Sequence, residues 1–227
     1  METRLSKRLE AVASFVPKGA RLVDVGSDHA YLPLFLVEKG RIEYAIAGEV
    51  VQGPYLSALK NVQEAQQGEK IAVRMANGLA AFTLSDKMDT LTIAGMGGRL
   101  IADILEAGKD KLVGIQRLIL QPNNREDDVR SWLMSNGFQL VAESILEESG
   151  KRYEILVAEH GQMELSAQEL RFGPFLQADR SPVFIQKWER ELGKLVHALE
   201  QVPLDRQADR AAILQKIKDI KEVLHVS

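Results

Sequence analysis

The sequence predicts a doubly wound α/β fold: a mostly parallel sheet covered by helices on both faces, followed by an antiparallel helical pair. Two observations carry this. Over the first 160 residues, apolar runs of strand length alternate with segments of 3.6-residue spacing. Beyond residue 161 the strand signal stops, and two long amphipathic stretches follow.

In chain order, a helix with Leu5, Leu9, Val12 and Val16 on one face comes first. Strands are predicted at 21–25, 44–50, 71–75, 90–94 and 117–121, with helices at 32–39, 55–65, 100–107 and 129–134 between and after them. Gly19, Gly40, Gly68, Gly108 and Gly137 fall just past helical segments, where a left-handed residue is expected. Repetition of this kind implies parallel strands joined by right-handed crossovers. Two more strands, 139–146 and 152–159, have only the turn chemistry of Glu148-Ser149-Gly150-Lys151 between them, which predicts an antiparallel hairpin. Five parallel strands closed by such a hairpin match the class I methyltransferase variant of the Rossmann-like sheet; the dehydrogenase variant ends on a parallel strand.

Residues 165–174 read as irregular, with room for a short helix. Two helical stripes then stand either side of Val202-Pro203-Leu204: Phe184, Trp188, Leu192, Leu195, Leu199, and Ile213, Ile217, Ile220, Leu224. The expected division is a catalytic domain over 1–161 and a coiled-coil-like helical domain over 162–227.

Composition narrows the function classes. With 227 residues, 45% hydrophobic and 27% charged, the chain has the balance of an ordinary globular protein. It has no cysteine, which excludes disulfides, thiolate zinc sites and cysteine nucleophiles. No apolar stretch is long enough to span a bilayer, and Met1-Glu2-Thr3-Arg4 is not a secretory leader, so a cytoplasmic protein without membrane partners is expected. His29, His160, His197 and His225 have no partners at metal-ligand spacing, and no metal is expected. A net charge of −3 does not announce nucleic-acid binding. The ends are more basic: residues 1–21 hold five Lys and Arg against two acids, and residues 180–227 nine against seven. Charge thus permits an RNA substrate without predicting one.

The richest stretch is Asp24-Val25-Gly26-Ser27-Asp28-His29-Ala30-Tyr31-Leu32-Pro33, where the first strand turns into the first crossover helix. Ligands of open α/β sheets bind at the carboxyl ends of the strands, near the switch in strand order. Gly26 and Ala30 would let the backbone approach a ligand, but Asp28 interrupts the usual glycine pattern. A carboxylate there repels a pyrophosphate and suits the cationic ammonium and sulfonium of S-adenosylmethionine, which argues against NAD. Glu49, at the end of the second strand, can accept hydrogen bonds from ribose hydroxyls; otherwise it is a surface glutamate at a strand end. Asn77, before Gly78, can bond a cofactor adenine or serve simply as a turn residue. At the fourth strand end, Gly95-Met96-Gly97-Gly98 would leave backbone amides open or form a plain loop. The fifth ends in Gln121-Pro122-Asn123-Asn124, a polar lip on the same edge.

These motifs resemble the bacterial tRNA adenine-22 N1-methyltransferases. The resemblance runs through Leu5-Ser6-Lys7-Arg8-Leu9, the Asp24–Pro33 string, Ala47-Gly48-Glu49, Ile93-Ala94-Gly95-Met96-Gly97-Gly98, Ile104-Leu105-Glu106 and Leu120-Gln121-Pro122-Asn123. It covers the catalytic domain, and the helical pair resembles the family's extension. It implies an S-adenosylmethionine-dependent enzyme that methylates N1 of adenine 22 in tRNA. The positions it implies for the cofactor are Asp24, Gly26, Ser27, Asp28, Glu49, Val50, Asn77, Gly78, Gly95 and Met96, and for catalysis Asp28, His29, Tyr31 and Asn123. Asn77 departs from the family's usual Asp-Gly-Leu: it keeps an acceptor oxygen and loses the charge.

Adenine N1 carries an in-plane lone pair, so attack on the sulfonium methyl needs positioning and charge stabilisation more than a general base. Asp28 could stabilise the reacting centre or hold the cofactor's ammonium. His29 and Tyr31 are candidates to pack on the target base or cofactor, or merely to pack at a helix start. Lys7, Arg8, Arg125 and Arg130 suit recognition of RNA shape and backbone, as do Lys187, Arg190, Lys194, Arg210, Lys216, Lys218 and Lys221 outside the apolar stripe of the helical pair. A small-molecule methyltransferase and a non-catalytic RNA-binding module are the alternative readings.

Overall fold

A computed structural model describes residues 3–225; Met1 and Glu2 of the polar start, and Val226 and Ser227, lie outside the described residues. Helix α1 (Lys7–Ser14) precedes strand β1 (Ala20–Val25). Then come α2 (Tyr31–Glu38), β2 (Ile42–Glu49), α3 (Gln52–Glu64), β3 (Ile71–Met75), β4 (Thr90–Met96), α4 (Gly98–Ala107), β5 (Arg117–Pro122) and α5 (Glu126–Ser135). The hairpin β6 (Phe138–Glu148) and β7 (Lys151–His160) follows, and then α6 (Ala167–Phe172), α7 (Pro174–Asp179), α8 (Pro182–Gln201) and α9 (Gln207–Leu224). The irregular stretch expected at 165–174 thus holds all of one short helix and the start of a second.

The seven strands form one sheet in the order β3-β2-β1-β4-β5-β7-β6, parallel except where β7 runs antiparallel to β5 and β6. The order reverses between β1 and β4, so the crevice at a switch point opens at their carboxyl ends. The hairpin turn is the one its sequence predicts. Ser149 and Gly150 have φ of +52° and +74°, the paired left-handed residues of a two-residue hairpin loop.

Strand alternation divides the sheet's side chains between two buried layers. Val23, Ile46, Leu91, Ile93 and Leu118 pack with Ile101, Leu105 and Leu133 on one face; Leu22, Ala45, Ile119 and Val157 pack with Val12, Leu32 and Leu36 on the other. Helix α2 is buried along most of its length, as its nearly unbroken apolar sequence demands. A third, smaller core joins Phe172, Leu176, Phe184, Trp188, Ile220, Val223 and Leu224, with Ile145 of β6 against it. Farther out, toward the α8–α9 turn, Val196, Leu204 and Leu214 are exposed.

Helix starts follow side-chain chemistry. Ser6 Oγ accepts from Leu9 N at 3.2 Å, and Glu148, from the hairpin tip, accepts from Lys7 N at 2.7 Å, so β6 helps to cap α1. Ser166 and Glu169 form a capping box on α6, and Ser181 with Pro182 opens α8. Gly19, Gly40 and Gly137 are left-handed as expected, but Gly68 and Gly108 are not. Gln66 takes the left-handed position after α3. Gly108 is required by space, since a Cβ there would stand 2.5 Å from Leu79 Cβ.

Candidate functional site at the carboxyl edge of the sheet

Parallel register brings the ends of β1 to β5 to one edge: Val25 pairs with Gly48 and Ile93, Glu49 with Met75, and Met96 with Pro122. The candidate positions therefore lie along this edge or in the loops that leave it, with Tyr31 at the start of α2. The β1–α2 loop is the most contorted backbone of the site. Gly26 has φ +69°, and a Cβ there would meet Met96 Cε at 2.3 Å, so the turn needs both the angle and the missing side chain. Asp28, His29 and Ala30 then have φ of +44°, +70° and +61°. Non-glycine residues in such conformations cost about 1–3 kcal/mol each. Their neighbours hold them there: Gly26 N and Ser27 N donate to Gly48 O at 2.9 and 3.1 Å, and Asn61 Nδ2 donates to His29 O at 3.0 Å.

Two carboxylates lie beneath this loop. Asp24 is 4% exposed and accepts from Ser27 Oγ at 2.6 Å and Thr92 Oγ1 at 2.5 Å. Burial lifts its pKa above the usual carboxylate value against these bonds and the nearby Arg8 charge. Glu49 is 5% exposed, and its Oε1 is buried without a hydrogen-bond partner. Burial also raises its pKa; the backbone amides of Asp28 and His29 pull it down, while the charges of Asp24 and Asp28 push it up. Asp28 itself points outward, its side chain 81% exposed and 3.4 Å from His29 Nε2.

The tips of β4 and β5 are tied by Gln121, a fully buried amide that follows the apolar run Leu118-Ile119-Leu120 of β5. Its Oε1 accepts from Gly95 N at 3.0 Å and Arg8 Nη1 at 2.6 Å, and its Nε2 donates to Pro122 O and Asn123 Oδ1. Exposed Asn123 closes the ring by donating from Nδ2 to Gly95 O at 2.7 Å. The amides expected to stand open at the glycine cluster are partly spoken for, since Gly98 N donates to Asn124 O at 2.8 Å. A Cβ on Gly98 would lie 2.0 Å from Arg125 O, so glycine is what lets these loops touch.

Asp24, Gly26, Ser27, Asp28, Glu49 and Met96 are thus brought together, and Gly95 and Asn123 form a neighbouring lip. Asn77 and Gly78 line a separate cavity of about 320 Å³ with Leu100 and Ile104, farther along the same edge. Val50 is exposed. Tyr31, whose ring lies 5.6 Å from that of His29, faces another cavity with Leu34, Glu38 and Asn61, away from the Asn123 lip. Sequence reasoning missed Thr92 and Asn61, single polar residues without a motif, and the tying role of Gln121, for which a lone amide ending an apolar run was the available signal. It also offered Arg130 to RNA. Arg130 is fully buried, ion-paired to Glu143 and Glu154 at 2.7 and 2.6 Å. Lys187 is likewise taken, by Glu126 and Glu154 at 2.8 and 2.7 Å, and Arg210 caps α8 through Leu199 O and Val202 O.

This arrangement of edge, strained loop and helical extension has close counterparts. The chain is 46% identical to the tRNA (adenine(22)-N(1))-methyltransferase of Bacillus subtilis strain 168, covering 97% of this chain and 94% of that one. A Streptococcus pneumoniae protein, described as a candidate tRNA (m1A22) methyltransferase and solved in complex with S-adenosyl-L-methionine, superposes with a TM-score of 0.93 at 64% identity, covering 98% of this chain and all of that one. The Mycoplasma capricolum relative, solved with S-adenosyl-homocysteine, superposes with a TM-score of 0.87 at 26% identity, covering 97% and 98% of the two chains. The family model for tRNA (adenine(22)-N(1))-methyltransferase matches residues 22–222, and the chain belongs to that family.

Proposed function

We infer that the protein transfers the methyl group of S-adenosylmethionine to N1 of adenine 22 in tRNA. The carrying observation is the near-full-length likeness to the Bacillus subtilis enzyme. The carboxyl edge is a fitting site for this cofactor, since the buried, partnerless Oε1 of Glu49 is an acceptor waiting for a donor such as a ribose hydroxyl. When bound, the cofactor supplies a methyl group on a cationic sulfur. Gly26, Ser27, Gly95 and Met96 would shape the site, Asp24 and Asp28 would favour its positive charge, and Val50 with Asn77 and Gly78 would flank the adenine.

The rest is positioning. Asn123 and the Gln121-tied lip would orient the target base, with Asp28, His29 and Tyr31 guarding the other side of the opening. Asp28 is exposed and Asp24 buried, so a charge on Asp24 would be little screened, and the cationic cofactor would favour its ionised form against the effect of burial. A stacked base must be drawn out of the RNA first, at a cost of a few kcal/mol. Residues 1–161 would form the catalytic unit and 162–227 the helical extension. No helix among the described residues is long and apolar enough to cross a membrane, in keeping with work on tRNA in the cytoplasm. Mass spectrometry of nucleosides after incubation with the cofactor and unmodified tRNA tests the reading: 1-methyladenosine at position 22 is expected, and unmethylated tRNA overturns it.

A further inference from the structure

A cleft of about 680 Å³ lies between the β6–β7 turn and α8, and Asn123 and Asn124 form one end of it. It is therefore continuous with the lip described above. Its walls carry five cations, Lys151 and Arg152 from the hairpin and Lys187, Arg190 and Lys194 from α8, against two carboxylates, Glu126 and Glu191. Both carboxylates are already engaged, Glu126 by Lys187 and Glu191 by Lys194 at 2.6 Å, and Arg152 is held by Glu147 at 3.1 Å. Among the described residues, Lys151 and Arg190 are exposed and in no ion pair. The concentration is local, for the whole chain has a net charge of −3.

A second observation is independent of charge. Two residues of this cleft hold buried N–H donors without an acceptor: Arg152 Nε, and Nε1 of Trp188, which is 7% exposed. Unmet buried donors are costly and few in folded proteins. A wall that supplies cations and surplus donors, and whose acceptors are spent, is complementary to a ligand made of anionic oxygens. A phosphodiester backbone is such a ligand, and the end of the cleft at Asn123 says where it leads.

We propose that this cleft binds the phosphate backbone of the substrate RNA and feeds the target nucleotide to the Asn123 lip, with Lys151 and Arg190 as the phosphate contacts. This rests on the reading of the protein as a tRNA methyltransferase. It replaces the even spread of contacts along the helical pair with one place where both halves of the molecule grip the same strand. Both orphan donors are closed to water, so phosphate oxygens reach them only if the cleft opens slightly, which makes Trp188 a reporter.

The test uses the full chain carrying Lys151→Gln and Arg190→Gln together, with unmodified tRNA. Calorimetry should give unchanged affinity for S-adenosylmethionine, which shows that fold and cofactor site survive. The KM for tRNA should rise about tenfold with kcat within about twofold, and the slope of log binding constant against log salt should fall by about two, one for each phosphate contact. The charge-preserving pair Lys151→Arg and Arg190→Lys should restore both. In a Trp132→Phe background, Trp188 is the sole tryptophan, and its emission should change as tRNA saturates. A double variant with parental KM and salt slope overturns the proposal, as does tRNA-blind Trp188 emission. Binding needs no turnover, so a parent protein that binds tRNA but does not methylate it would overturn the functional reading while the cleft is still judged by the salt slope.

Discussion

Glu49 and Glu154 are both buried glutamates, at 5% and 1% exposure, and they make opposite use of burial. Glu154 on β7 receives Arg130 Nη2 at 2.6 Å and Lys187 Nζ at 2.7 Å, one on each oxygen. Those cations hold its pKa below the usual carboxylate value against its desolvation. Glu49 at the end of β2 faces two other carboxylates, keeps one oxygen without a partner, and has its pKa raised. The first charge is spent on the fold: with Glu143, Arg130 and Lys187 it joins α5, the hairpin and α8, and Arg130 also donates to Leu170 O of α6. The second is left over for a ligand. Of these two buried glutamates, only the one whose bonding capacity is unfilled points to a ligand.

The contrast breaks most visibly at Arg130. Arg130→Met keeps much of the volume and leaves Glu143 and Glu154 buried with one cation fewer. Stripping one partner from a buried pair costs about 3–5 kcal/mol. For a chain of this size that is a fall in melting temperature on the order of 6–20 °C. Thermal unfolding checks this, and a melting point within a degree or two of the parent would show that the network is not what fastens the helical extension. At temperatures where the variant is folded, cofactor affinity should be unchanged.

Glu49→Ala should do the reverse. Its loss removes a charged acceptor worth about 1.5–3 kcal/mol of S-adenosylmethionine binding, read by calorimetry as roughly a tenfold to hundredfold weaker Kd. It also removes a buried carboxylate that has no cation beside it, so the melting temperature without cofactor should hold or rise. Parental affinity would remove Glu49 from the site. A large loss of stability would make it a second Glu154.

This division explains what could be read from sequence. The strand positions and the hairpin followed from periodicity and from one turn, Glu148-Ser149-Gly150-Lys151, because local chemistry decides them; the order of the strands in the sheet did not. All seven strands lie within a few residues of the predicted spans. The edge residues were legible because a parallel sheet must bring its strand ends together. The fate of cations was not. Arg130 and Lys187 look like any solvated charge along a helix, and only the approach of β6 and β7, from elsewhere in the chain, turns them inward. The strain at Asp28-His29-Ala30 was equally hidden, since Asp and His tolerate positive φ without requiring it and Ala disfavours it; Gly48 and Asn61 hold the loop from outside.

The smallest effect expected is the pH dependence that separates the two glutamates. A carboxyl group whose pKa is raised by folding holds its proton more tightly in the folded chain than in the unfolded one. Above the ordinary value of 4.5 the folded state must then give up a proton that the unfolded state has already released. Glu49 therefore detracts from stability as pH rises from about 4.5 through its raised value, and the loss levels off above that value. Glu154 is lowered, so its contribution is full above 4.5 and is lost as pH falls through its depressed value. Denaturant unfolding of the parent and of Glu49→Gln, without cofactor, isolates the first term. The parent should lose stability relative to the variant as pH climbs through that window, by no more than about 1.4 kcal/mol per pH unit for one proton. Binding should show the mirror image. The parent's affinity for S-adenosylmethionine weakens as acid protonates Glu49 and removes its charge, whereas Glu49→Gln has no such proton to gain. Parallel stability curves for the two proteins would mean that Glu49 titrates as an ordinary surface carboxylate, and the distinction between a spent charge and a reserved one would fail at its own test residue.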